Sequence, residues 1–249
     1  THCISSAASD VYKRQPLKWL FTRLCLQSKI VLTMTGLLIL CGAVGFFLLE
    51  FNNPETMGDM NLLEKMTASL FQSVTTRTAG FATVPQGDLR ESSKLLGCML
   101  MFIGGSPAGT AGGVKTTTIA MLLLTVLCVL KNKRDTECFA RKIDNNIVRS
   151  GITITMITLI FLMSGITALT IFEPGIDFLD LTYEAASAMG TVGLTADLTP
   201  ILSRGSHVIL MILMYVGRIG PLTMALALSG RSDKISKFRE LPEENVMLG

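Results

Sequence analysis

The sequence predicts an all-α polytopic membrane protein made of two tandem, parallel units. Each unit is a spanning helix, a short re-entrant pore helix and a returning helix. Three observations carry this. Of the 249 residues, 49% are hydrophobic and only 16% are charged, against about 25% charged in a typical soluble domain. Two runs lack any charge, Ile30 to Leu49 (20 residues) and Ile152 to Phe172 (21 residues), and a helix needs about 20 residues to cross a bilayer core. A threonine–glycine segment also recurs at an offset of 113 residues.

Composition excludes several classes. A net charge of +3, spread in short clusters between apolar runs, argues against nucleic acid as a partner and for topology signals facing a lipid bilayer. The six cysteines have no CxxC spacing, and the only histidines are His2 and His207. That leaves no clustered ligand set for a resident metal and no framework of disulfides. No catalytic constellation is present, so an enzyme is not expected.

The elements follow in chain order. Residues 1–15 lack an apolar core and a helical period, so they are no signal peptide; they form a leader foreign to the fold and expected to be disordered. Residues 16–130 make the first unit. Its span, Ile30 to Leu49, follows Lys13, Arg14, Lys18, Arg23 and Lys29 and precedes Glu50, Glu55 and Asp59. Leu62 to Val74 is a short helix that enters and turns back at "TTRTAGFATV". Two half-length helices, Leu95 to Ile103 and Ile119 to Leu130, then return, giving about 14 Å and 18 Å at 1.5 Å per residue. Residues 131–149 form a cytoplasmic linker with six basic and three acidic residues. Residues 150–230 make the second unit: the span, a short helix over Leu179 to Met189 ending in "GTVGLTADL", and a returning segment from His207 to Leu228. Residues 231–249 form a cytoplasmic carboxyl-terminal tail with Arg231, Lys234, Lys237 and Arg239. Basic clusters mark the inner side, so both clean spans run outward.

Placing Thr78, Ala79 and Gly80 over Thr191, Val192 and Gly193 also places Met101 to Gly104 over Met214 to Gly217 without a gap. Both copies have one orientation, so the repeat is parallel. A dehydrated cation needs its water replaced by oxygens, and backbone carbonyls in an extended turn can supply them. Glycine at Gly80 and Gly193 permits the backbone angles this requires, and the threonines add oxygens. These six residues are the candidate selectivity filter. The plain alternative is a pair of ordinary glycine turns at the membrane surface.

Between the half-helices lies "GGSPAGTAGGV". Irregular backbone at membrane depth is tolerated only where it is buried or lines water. Gly104, Gly105, Ser106, Gly109, Thr110, Gly112 and Gly113 therefore read as a slim, mobile gate; a static kink at Pro107 is the alternative. A phosphate-binding loop over 104–116, in a membrane-bound protein, is a rival reading. It needs glycine immediately before the lysine, and Val114 stands there instead. Lys115 is either a gate charge or a side chain reaching toward the inner interface. Arg218 occupies the repeat position of Gly105, mid-membrane. It reads as a group that contacts the loop or repels cations, or as the partner of Glu184. A non-conducting membrane scaffold is the remaining rival.

"SVTTRTAGF", "GGSPAGTAGGVKTTT", "SAMGTVGLT", "GRIGPLTMALAL" and the final "LPEENVMLG" together resemble the KtrB subunits of bacterial Ktr potassium uptake systems. These belong to the Trk/Ktr/HKT superfamily, and the "RIGPLT" and "GGVKTTT" wording favours KtrB over TrkH. The resemblance runs from about Pro16 to Gly249. It implies a multi-pass protein of the bacterial plasma membrane with four such units around one K+ pathway. Gly80 and Gly193 would be filter glycines, 104–114 the intramembrane gate loop and Arg218 the pathway arginine. It also implies a homodimer on a cytosolic ring of nucleotide-binding RCK subunits (KtrA-like), with K+ as the transported ion, Na+ as activator and no cofactor in this chain. Only two units are present, matching the third and fourth of the family, so the chain is expected to be a carboxyl-terminal fragment whose amino-terminal half is missing.

Overall fold

A computed structural model describes residues 24–107, 111–131, 137–138 and 141–220. The leader 1–15, Gly109, Thr110 and the tail 231–249 lie outside them. Among the described residues the chain forms α1 (Leu26–Glu50), α2 (Leu62–Thr75), α3 (Glu91–Phe102), α4 (Thr116–Leu130), α5 (Asn145–Phe172), α6 (Phe178–Gly190) and α7 (Arg204–Ile219). Between α4 and α5 sits one addition to the expected all-α chain. It is a two-stranded antiparallel ribbon, β1 (Glu137–Cys138) and β2 (Arg141–Lys142), with Glu137 opposite Lys142 and Cys138 opposite Arg141. A pair of two-residue strands in a connecting segment leaves no hydrophobic period for a sequence reading to find.

Local chemistry sets the helix ends. The second span starts at Asn145, earlier than the charge-free run, because the Asp144 side chain caps it by accepting from Asn146 N at 3.2 Å. Asn61 and Glu64 form a reciprocal capping box on α2, the arrangement that satisfies two orphan amides at once. Asp177 accepts from Leu179 N on α6, and Ser203 from Ser206 N on α7.

The distribution of polarity is that of a protein in lipid. Leu40, Leu48, Val129, Leu130, Ile160 and Ile171 are exposed on α1, α4 and α5. Inside lie Glu50, Gln72, Ser73, Thr75, Thr76 and Glu184, all buried. A bilayer rewards this inversion, because it demands apolar surface outside and internal partners for every polar group within. α1 packs on α2 and α3, α3 packs on α6, and α5 and α6 pack on α7. The largest apolar cluster, with Leu169, Leu181, Met189, Leu213 and Val216, is built from α5, α6 and α7, and Cys98 and Met101 of α3 pack into it. Small residues permit the close approaches, as transmembrane interfaces require. At Gly42 on α1, Ser73 comes close enough to donate its hydroxyl to Ile39 O at 2.8 Å.

Candidate functional site

The short helices α2 and α6, 14 and 13 residues, are about 20 Å long, too short to cross. Each ends on one of the predicted turns. The carboxyl end of a helix carries partial negative charge, so both turns sit in a field that favours cations.

The backbone of the turns is alike. Thr78 and Gly80 have φ of 67° and 76°; Thr191 and Gly193 have 52° and 90°. Left-handed backbone is rare for threonine, and here it falls on the same two places in each turn. Thr75 pins the first turn: its hydroxyl donates to Phe81 O at 2.6 Å and accepts from Phe81 N at 2.8 Å. Ala79 N and Gly80 N both donate to Thr75 O. In the second turn Thr191 N donates to Ala188 O and Val192 N to Ser187 O. The carbonyls of Thr78, Ala79, Gly80, Thr191, Val192 and Gly193 accept no hydrogen bond from the described residues. The turns also touch. A Cβ built on Gly80 would overlap the Val192 carbonyl oxygen.

A cavity of about 500 Å³ opens beside the second turn, lined by Thr191, Val192 and Gly193, by Ser187 on α6, and by Met214 and Arg218 on α7. Glu184 borders it on the far side and takes its hydrogen bonds from Thr195 Oγ1, from Ala196 N at 3.1 Å and from Thr199 Oγ1.

The glycine-rich segment connects α3 to α4. Its ends are laced together: Ile103 and Val114 form a parallel bridge, Gly104 N donates to Val114 O at 2.9 Å, and Thr116 N donates to Gly105 O at 3.1 Å. Gly113 takes a φ of 67° to make the return. Lys115 Nζ donates to Ala111 O of its own loop. The loop rests on the second turn, where Gly112 N donates to Thr191 Oγ1 at 3.0 Å. Of the predicted gate residues, Gly112 is thus brought against the predicted filter, and Arg218 lines the cavity beside it.

The sequence reading missed the polar scaffold around these parts. Glu50, fully buried at the carboxyl end of α1, accepts from Asn53 Nδ2 (2.7 Å), Thr56 Oγ1 (2.6 Å), Arg90 N (3.0 Å) and Ser93 Oγ. Glu173, just beyond α5, accepts from Ser203 N and Ser206 Oγ, each at 2.7 Å. Arg77 Nη1 ties the first turn to Thr35 O on α1 at 3.2 Å. Lys94 on α3 pairs with Asp180 on α6 at 2.6 Å.

Glu173 yields a pH prediction. The hydrogen bond from Ser203 N, then those from the Ser203 and Ser206 side chains, hold its carboxyl below the usual 4.5. A lowered folded value stabilises above the unfolded one and is lost as pH falls through the folded one. Detergent-solubilised protein should therefore melt higher than Glu173→Gln at neutral pH. That gap should stay constant at higher pH and close progressively as the pH falls below the usual carboxylate value. A gap independent of pH would show that the charge is not what the serines recognise.

Comparison with known proteins gives one family and consistent neighbours. The family model TrkH, described as a cation transport protein, matches residues 12–238. The Ktr system potassium uptake protein B of Bacillus subtilis is 39% identical over 229 residues, covering 92% of this chain and 51% of that protein. The potassium/sodium uptake protein NtpJ of Enterococcus hirae is 34% identical over 232 residues, covering 91% and 51%. The crystal structure of the potassium transporter TrkH from Vibrio parahaemolyticus superposes with a TM-score of 0.66 at 21% identity, covering 90% of this chain and 48% of that one. The chain spans about half the length of the curated relatives it matches.

Proposed function

We propose that this chain, which belongs to the TrkH family of cation transport proteins, forms half of a potassium uptake pathway in the bacterial plasma membrane. The family is one of transporters, not enzymes. The observation that carries the reading is the pair of touching left-handed turns, at the carboxyl ends of two half-length helices, with six carbonyls that accept no hydrogen bond from the described residues. In this reading Thr78 to Gly80 and Thr191 to Gly193 replace the hydration of K+. The two tandem units supply two sides of a four-sided filter. The other two sides come from an amino-terminal half of the same subunit, in keeping with the share of the relatives' length that this chain spans.

The loop 104–114 is the gate. Its hydrogen bond to Thr191 supports a closed position directly beneath the filter, and Lys115 and Arg218 add positive charge to the path below. The subunit would pair as a homodimer on a cytosolic nucleotide-binding RCK ring, with a cytoplasmic carboxyl terminus and stimulation by Na+. The first relative is part of a Ktr system by name, which agrees with a separate partner subunit.

Complementation tests the reading. The subunit completed with its other half and expressed with the ring should restore growth at limiting K+ in a strain without K+ uptake. No rescue would overturn it. Gly112→Ala tests the gate. Its methyl group would lie 2.7 Å from Thr191 Cγ2 and 2.9 Å from Gly190 O, so the loop must lift from the filter. Rb+ uptake without the ring should rise roughly tenfold, as expected if about 1.4 kcal/mol of closed-state preference is lost. Uptake that stays fully ring-dependent would refute the gate.

A further inference from the structure

Behind the two turns lies a polar network with no part in the transport steps above. Gln86 Oε1 accepts two hydrogen bonds, from Gln72 Nε2 at 2.6 Å and from Tyr183 OH at 2.8 Å. Gln86 Nε2 donates to Val84 O at 2.7 Å and to Gln72 Oε1 at 3.3 Å. Gln72 and Tyr183 are 0% exposed and Gln86 is 3% exposed. The donors and acceptors are matched, and a matched buried network specifies one geometry, because losing any member strands another.

Its placement matters more than its strength. Gln72 lies on α2, which leads into the first turn. Gln86 lies on the segment that leaves that turn. Tyr183 lies on α6, which leads into the second turn. One vertex of the triangle therefore belongs to the other unit. Tyr183 is itself fixed from behind, since its ring sits against the bare backbone of Gly97 on α3: a Cβ there would be 3.1 Å from Tyr183 Cε2. The turns meet at Gly80 and the Val192 oxygen, so their separation depends on how far α2 and α6 stand apart. Gln86, bonded to Gln72 on α2 and to Tyr183 on α6, is a polar link between those helices.

We infer that Tyr183, Gln86 and Gln72 are positioning residues for ion specificity, bracing the two turns at the spacing that fits K+ and not Na+. The inference rests on the filter reading above and adds to it the groups that fix the width. None of the three side chains needs to touch the ion.

The test uses the full-length subunit in proteoliposomes, with Rb+ and Na+ influx read separately and thermal melting read alongside. Tyr183→Phe removes one hydroxyl and keeps the ring. It should leave Rb+ influx within about twofold while the Rb+ to Na+ influx ratio falls about tenfold, equivalent to about 1.4 kcal/mol. Gln72→Met should lower the ratio similarly. The double variant should fall short of the product of the two, since both act through Gln86 Oε1. An unchanged ratio in both single variants overturns the inference, whatever happens to the melting temperature. If Tyr183→Phe does not accumulate, Gln72→Met is judged alone by the same ratio. If neither accumulates, the network serves assembly and the inference is overturned. An unsubstituted subunit that does not prefer Rb+ to Na+ sinks the filter reading, and this inference falls with it.

Discussion

Gly80→Ala should abolish selective K+ uptake, and Gly193→Ala should only weaken it. Both glycines have a positive φ, 76° and 90°, and an L-residue there costs about 1–2 kcal/mol. That strain is common to both and accounts for roughly a tenfold loss. The surroundings then differ. Around Gly193 nothing among the described residues lies within 4 Å of an added methyl group, whereas at Gly80 that group would overlap the Val192 carbonyl oxygen. Backbone cannot swing aside as a side chain can, so the two turns must part. Parting them should cost Gly80→Ala at least a further tenfold in Rb+ uptake, or about 1.4 kcal/mol. Growth at limiting K+ gives the first readout and Rb+ influx the second. Equal losses at the two sites would mean that the turns do not form one filter.

The helices were legible because the bilayer imposes a length and a purity of composition that few other environments impose. Ile30–Leu49 and Ile152–Phe172 lie wholly inside α1 and α5, and the half-helices α3 and α4 flank the glycine-rich segment where the sequence breaks. Glycine marked the turns for a physical reason, since positive φ is cheap only there. Thr78 and Thr191 share that conformation, yet nothing in a threonine announces it.

Polar partners were the illegible part. Tyr183 and Gln86 are 97 residues apart, and Gly112 and Thr191 are 79 apart. No periodicity or fixed offset links such pairs; only the packed fold does. Glu50 and Glu173 escaped for another reason. Their donors, Arg90 and Ser93 against Ser203 and Ser206, keep the offset of 113 residues, but the loop after α1 is longer than the loop after α5. The two glutamates therefore fall out of register in the sequence while making equivalent hydrogen bonds.

That equivalence supports a last prediction, in which one member of the pair should matter far more than the other. Each glutamate binds the start of the returning helix at its first-turn serine and at a backbone amide, and so ties that start to the carboxyl end of the preceding long helix. Glu50 is 0% exposed and holds two further donors, Asn53 and Thr56. Glu50→Ala would strand four donors at once, at a cost of about 4 kcal/mol even if water reaches some of them. The melting temperature in detergent should fall by roughly 10 °C. Glu50→Gln should cost about half as much, because one oxygen still accepts while the new amide faces donors. Glu173→Ala should move the melting temperature by only a degree or two, since water can take over at a site near the surface. A Glu50→Ala protein as stable as the parent would show that the first unit is held by helix packing alone, and that the matched serines are incidental.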